Sequence, residues 1–248
     1  MTLPTFSYSI ALAATQLGIV LAPIITYGAC RRSKKICAAA LLTLALGLLQ
    51  SAILFAPNFG CLAWLQYNWL QKVTMLLCTL ALARRFGFSS ADCGFAPPKY
   101  RSALVVGLFV GILFVGIDAM TGLPNSRPST ETVLFQLTIP GLHEEFFYRG
   151  LLLCIWDKCF GRPWSACGVE FGAGCIITTL LFTVGHQVAL DDHWKVNVNL
   201  DILGWIDLVL FSLAMCWLRY RSGSVWPAVI AHNANNGLVQ VIALTAHS

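Results

Sequence analysis

Apolar residues run along this chain in blocks separated by short polar, proline- or glycine-bearing segments. The blocks fall at residues 6–26, 36–56, 62–83, 102–120, 132–156, 173–190, 202–218 and 225–246. Each approaches the roughly 20 residues a helix needs to cross a bilayer core. The pattern predicts an all-α, polytopic membrane protein of about eight transmembrane helices. Breakers stand where such helices should end: Pro57, Asn58 and Gly60, then Pro97-Pro98, then Ser222-Gly223-Ser224. Pro227 falls in the first turn of the last block, where a missing N–H costs little. Tryptophans 64, 69, 156, 205, 217 and 226 lie toward block ends, as interfacial aromatics do.

Composition narrows the setting. Of 248 residues, 57% are hydrophobic and 11% charged, with a mean hydropathy of +0.72. Soluble domains carry about 25% charged residues. No A-x-A-like cleavage site follows the first block, which is therefore expected to remain as a helix. The ten cysteines include no C-x-x-C pair and lie mostly in apolar segments, so they read as small buried hydrophobes. With no internal repeat and no soluble domain, residues 1–248 read as one transmembrane domain. Within it, 1–131 carry no motif and 132–246 carry the polar motifs.

Charge orients the blocks. If they alternate, one side receives Arg31, Arg32, Lys34, Lys35, Arg84, Arg85, Lys99, Arg101, Lys158, Arg162, Arg219 and Arg221. The other receives Arg127 and Lys195, with an acidic loop of Asp191, Asp192 and Asp201. The positive-inside rule then puts both termini on the non-cytoplasmic side. This bias accounts for the net charge of +5 and leaves no call for nucleic acid as a partner. The compact, loop-poor form suggests a bacterial inner membrane.

The costly residues are those inside the blocks. His143-Glu144-Glu145-Phe146-Phe147-Tyr148-Arg149 places three charges and a histidine in the fifth block. Intramembrane charges cost roughly 2.5–3.5 kcal/mol each on insertion scales, which marks them as functional by default. Pro140-Gly141 just before them should open the helix backbone, and a cavity is expected to receive the freed polarity. Glu145 and Arg149 are four residues apart and can pair on one helix face. Glu144 is turned about 100° from that pair and is expected to be the carboxylate left for chemistry. His186 closes the run from Phe182 in the sixth block. His232 and Asn236 are again four apart in the eighth, with Asn235 a competitor for the same role. At ~1.5 Å per residue, Glu144 and His186 lie roughly 20 Å from the cytoplasmic ends of their blocks, Asn236 about 16 Å and His232 about 10 Å. One chamber open to the cytoplasm is expected to hold all four.

A carboxylate and a histidine sharing one water form a general base. A second histidine and an amide supply donors to the oxyanion produced when that water attacks a carbonyl. No serine, threonine or cysteine stands beside a histidine with a third orienting group. The residues therefore point to water-mediated acyl transfer within the membrane, most plainly peptide hydrolysis. His143 reads as structural, and the intramembrane charges Lys72 and Asp207 are left outside the site.

The order Glu-Glu-x-x-x-Arg, Phe-x-x-x-His, His-x-x-x-Asn on separate apolar blocks resembles the CAAX proteases and bacteriocin-processing enzymes, including the type II CAAX prenyl endopeptidase. The resemblance covers roughly residues 132–246. It implies Glu144 as catalytic base, His186 as its water-holding partner, His232 and Asn236 as the oxyanion hole, and Glu145 with Arg149 as the supporting pair. It implies a membrane-associated protein or peptide substrate, prenylated CAAX proteins among them; no cofactor is expected, since the histidines and glutamate are not arranged as His-Glu-x-x-His and come from different spans. Two other readings stand beside it. Two histidines and a glutamate are plausible zinc ligands, which would make a metalloprotease. A scaffold or transporter is the non-enzymatic alternative, although no inverted repeat of the transporter kind is visible.

Overall fold

The computed structural model describes residues 6–58, 62–121, 124, 126–191 and 193–246. Gly60 of the expected turn and Asp192 of the acidic loop lie outside these residues. The chain is an all-α membrane protein, and every block predicted as a span is helical. In order come α1 (Phe6–Cys30), α2 (Lys34–Leu54), α3 (Trp69–Arg85), α4 (Ser102–Thr121) and α5 (Thr130–Glu145). A π-helical segment, Phe146–Leu152, then runs into α6 (Leu153–Phe160). Short strands β1 (Trp164–Ala166) and β2 (Val169–Phe171) precede α7 (Ala173–Gln187). Strands β3 (Val188–Leu190) and β4 (Val196–Val198) precede α8 (Ile202–Ser222) and α9 (Trp226–Ala246). Helices α1, α2, α4 and α8 are each long and apolar enough to cross a membrane.

Two blocks end elsewhere than their hydropathy suggests. The third, expected from residue 62, becomes helical only at Trp69, because the segment before it is held by side chains. Asn58 Nδ2 donates to the carbonyls of Leu65 and Tyr67 at 3.1 and 3.2 Å. The sixth, expected to reach residue 190, ends at Gln187. Val188–Leu190 instead pairs antiparallel with Val196–Val198, Val188 opposite Val198 and Leu190 opposite Val196. Valine favours a pleated ladder over continued helix, and here a ladder partner is available.

The chain divides into two compact units that interleave along the sequence. The first holds the described residues up to Ala56 with Leu152–Ala166 and Glu170–Leu213. In it α1 packs along α2 and α7, and α6 lies against α7 and α2. Buried polar contacts tie these helices where lipid offers no hydrophobic gain. Ser51 Oγ donates to Ser9 O at 2.9 Å, and Ser212 Oγ to Thr179 Oγ1 at 3.0 Å. Gln16 Nε2 donates to Gly185 O and Val188 O at 3.1 and 2.6 Å, anchoring α1 where α7 turns into β3.

The second unit holds Pro57–Leu151, Cys167–Val169 and the chain from Ala214. Helix α9 packs along α4 and along α5, and α3 packs on α5. Phe146, Val225 and Val229 form a buried apolar cluster, with Leu76, Leu80, Phe95 and Leu142 against it. Gly223, at φ 73°, takes the left-handed conformation that stops α8. The α3–α4 connection is stitched to the α8–α9 junction: Ser224 Oγ donates to Ala96 O at 2.6 Å and Val225 N to Gly94 O at 2.8 Å. Outward on α4, Val105, Phe109, Ile112 and Leu113 are exposed, an apolar surface suited to lipid.

Candidate active site

The site in the second unit begins with how α5 starts. Ser129 caps it, its hydroxyl accepting from Thr132 N at 3.1 Å. Glu131 in the first turn accepts from Gln66 N and Tyr67 N at 3.0 and 3.2 Å, and from the Trp69 indole at 3.1 Å. Desolvation, the largest single effect, pushes its pKa up, but these three donors together outweigh it and hold the carboxyl below its usual range. One acidic residue thus fixes the start of α3 to the start of α5.

Pro140 lies inside α5 and has no N–H to give, so the backbone polarity expected to open there is real. What receives it is a side chain rather than the expected cavity. Asn233 Oδ1 accepts from Gly141 N at 2.8 Å, and Asn233 Nδ2 donates to Thr138 O at 2.8 Å. A Cβ on Gly141 would stand 2.6 Å from Asn233 Oδ1 and 2.9 Å from the Cβ of His232. Only glycine lets α9 come this close, and the approach brings the charged segment to α9.

At the end of α5 the helix widens into the π segment, an irregularity often found at functional sites. Glu145 and Arg149 pair as expected, Oε2 to Nε at 3.3 Å, both side chains fully buried. Glu145 Oε1 also meets His232 Nδ1 at 2.7 Å. An ionised carboxylate only accepts, so His232 Nδ1 carries the proton, and Nε2 in the neutral ring is an acceptor. That Nε2 faces Glu144 Oε2 at 4.0 Å, a gap that one bridging water fits.

Glu144 is not the isolated carboxylate that the helical wheel suggested. Lys72 of α3 reaches its Oε1 at 2.6 Å, with both side chains nearly buried. Lys72 was set aside on sequence, yet the cost argument that singled out Glu144 applies to it equally. A lone ammonium in an apolar block needs a counter-charge. On α9, Asn236 Nδ2 donates to Gln136 Oε1 of α5 at 3.3 Å, and Asn235 Nδ2 to Asp118 Oδ2 of α4 at 3.1 Å. The two amides lie on different faces: Asn236 looks toward the glutamate helix and Asn235 toward α4. His143 is buried against the Phe147 ring, 6.4 Å between centroids, in keeping with a structural role. Asn233 and Gln136 were not anticipated, since three asparagines in five residues on α9 gave no sign of which one docks.

His186 belongs to the first unit and sits in the last turn of α7. Its Nδ1 lies 2.8 Å from Phe182 O, and its ring packs on the Phe182 ring, 4.4 Å between centroids. The spacing of four thus has two uses, a backbone acceptor and a stacking partner. A carbonyl only accepts, so His186 also holds its proton on Nδ1 and presents Nε2. Beside it opens a cleft of about 410 Å³ lined by Gln187, Ala189, Asn197, Val198, Asn199 and Leu200.

The donor set does not suit zinc as arranged. Among the described residues no group of three or more histidine, cysteine or acidic side chains is placed to hold a metal ion. Glu144 already faces an ammonium, and Glu145 is shared by Arg149 and the Nδ1 of His232.

No curated protein and no solved structure matches the chain significantly. A family model does: type II CAAX prenyl endopeptidase Rce1-like, over residues 127–238. That range spans the α5 glutamates, the π segment, the α7 histidine and the His232–Asn236 pair. Through that region the chain resembles the type II CAAX prenyl endopeptidase Rce1-like family, a family of proteases, and its long apolar helices are those of an integral membrane protein.

Proposed function

We propose that this protein is an intramembrane endopeptidase of glutamate type, hydrolysing a peptide bond in a membrane-associated protein. Prenylated CAAX proteins are the substrate class that the family name suggests. The observation carrying the reading is the approach of Glu144 Oε2 to His232 Nε2, 4.0 Å apart. Glu144 takes a proton from the attacking water as oxygen bonds to the carbonyl carbon. The resulting oxyanion is met by the amide of Asn236, oriented by Gln136, and by His232, the two oxyanion-hole positions that the family pattern assigns. When the C–N bond breaks, Glu144 returns the proton to the leaving nitrogen, giving an amine and a carboxylic acid. Glu145 and Arg149 hold His232 in place. His186, with Nε2 likewise presented, takes the water-holding role that the family pattern assigns.

The proposed setting is a bacterial inner membrane with eight spans and both termini outside. The deciding experiment incubates purified protein in detergent with a farnesylated CAAX peptide. Cleavage before the last three residues is expected, lost in Glu144→Gln and His186→Ala and unaffected by a zinc chelator. Cleavage of another membrane peptide alone would keep the peptidase and discard the prenyl substrate. Full activity in Glu144→Gln would discard the mechanism.

A further inference from the structure

Lys72 lies outside residues 127–238, in the part of the chain without motifs, yet it touches the glutamate on which the proposed reaction turns. Its placement is constructed rather than incidental. Lys72 occupies the first turn of α3, its N–H bonded to Asn68 O at 3.0 Å. That turn and the residues leading into it are clamped to α5 by the hydrogen bonds of Gln66, Tyr67 and Trp69 to Glu131. Phe135, one turn further along α5, stacks on Tyr67 at 4.4 Å and meets Trp69 edge-on at 5.1 Å. The Lys72 ammonium passes 5.8 Å from the Phe135 ring centroid, within cation–π range, on its way to Glu144. An aromatic cluster and an acidic clamp therefore aim one long side chain.

We propose that Lys72 is a positioning residue of the peptidase. By binding Oε1 of Glu144 at 2.6 Å, it fixes the carboxylate so that Oε2 faces His232 Nε2. Without it, Oε1 loses the partner that sets the direction of the carboxylate. Buried ion pairs are a poor source of net stability, because desolvation offsets their attraction. Orientation is what this one supplies.

The inference rests on the glutamate reading, and the test separates the two. The farnesylated CAAX peptide is cleaved by wild type, Lys72→Met, Lys72→Arg, Glu144→Gln and the Lys72→Met/Glu144→Gln double variant, each checked as monodisperse in detergent. Lys72→Met is expected to lower kcat about 10–100-fold with KM changed less than about threefold, the scale of lost support around a reacting group. Lys72→Arg should recover much of that loss. The double variant should be no slower than Glu144→Gln, because Lys72 acts only through that carboxylate. A wild-type kcat in Lys72→Met overturns the proposal, as does a defect confined to KM or a further loss in the double variant. If Lys72→Met does not fold, Lys72→Gln is judged by the same criteria. An active Glu144→Gln would instead overturn the glutamate reading itself.

Discussion

Helix α9 meets two neighbours in its unit, and it meets them differently. Toward α4 it shows Pro227, Ala231 and Ala234, and α4 answers with glycines. A Cβ on Gly111 would stand 2.5 Å from Ala231 O and 2.9 Å from the Ala234 Cβ, and one on Gly107 would run into the carbonyl of Pro227. Asn235 Nδ2 donates to Asp118 Oδ2 across the same interface. Toward α5 it shows His232, Asn233 and Asn236, each bonded to a named partner. Lipid tails are as apolar as leucine, so helices in a membrane associate through shape and through hydrogen bonds. One face of α9 uses mainly the first and the other mainly the second. Shape only has to bring backbones together. The directional bonds also aim side chains, and the candidate chemistry lies on that face.

Breaking the charged core of the polar face should have the largest effect. Arg149→Met leaves Glu145 buried without its cation, and such a break costs roughly 3–5 kcal/mol. Loss of folded protein in detergent melts is expected. Adding Glu145→Leu should restore much of the stability but no cleavage, because His232 then lacks its anchor.

The two faces separate next in their glycines. Gly111→Ala and Gly141→Ala each overpack an interface, at about 1–3 kcal/mol. Both should melt earlier, but only Gly141→Ala should also lower kcat, since the added methyl presses on Asn233 and His232. Equal losses of kcat would erase the distinction between the faces. Gly18, with nothing within 4 Å of a built Cβ, is the control whose alanine variant should be unchanged or slightly more stable.

Smaller effects belong to the amides. Interhelical hydrogen bonds in membranes average about 0.6 kcal/mol. Asn233→Ala loses two bonds and exposes the Pro140 break, so it should cost more than Asn235→Ala, measured by unfolding in mixed micelles. The smallest effect concerns pH. The Glu131 carboxyl is held below its usual range in the folded state, so its contribution is present above the unfolded value and is lost as pH falls through the folded value. Melts between about pH 6 and pH 3 should show wild type losing more stability than Glu131→Gln, within the usual carboxylate range.

Hydropathy located every helical block, because the bilayer demand for about 20 apolar residues is a strong signal. It misplaced the ends near residues 62–68 and 188–190, where local side chains and a strand partner compete with helix. Spacing of four revealed Glu145–Arg149 and the Phe182–His186 contact, both being contacts within one helix. Lys72 on Glu144, Asn233 on the Pro140 break and Gln136 on Asn236 join different helices, and helical periodicity carries no information about which neighbour stands opposite.

The π segment carries a consequence for insertions and deletions. A π turn holds an extra residue relative to an α turn, so Phe146–Leu152 resets the angular phase of the helix between α5 and α6. Glu144, Glu145 and Gly141 are set by their fit to α9 and α3, while Trp156 and Ile155 are set by burial in α6. A strictly regular helix would force both sets to obey one winding angle. Removing a single residue from the segment should let it close to regular helix, since the residue lost matches the one that the wider turn takes up. The seven residues are a one-residue slack in the winding, held by their own buried side chains, Phe147, Arg149, Leu151 and Leu152 among them.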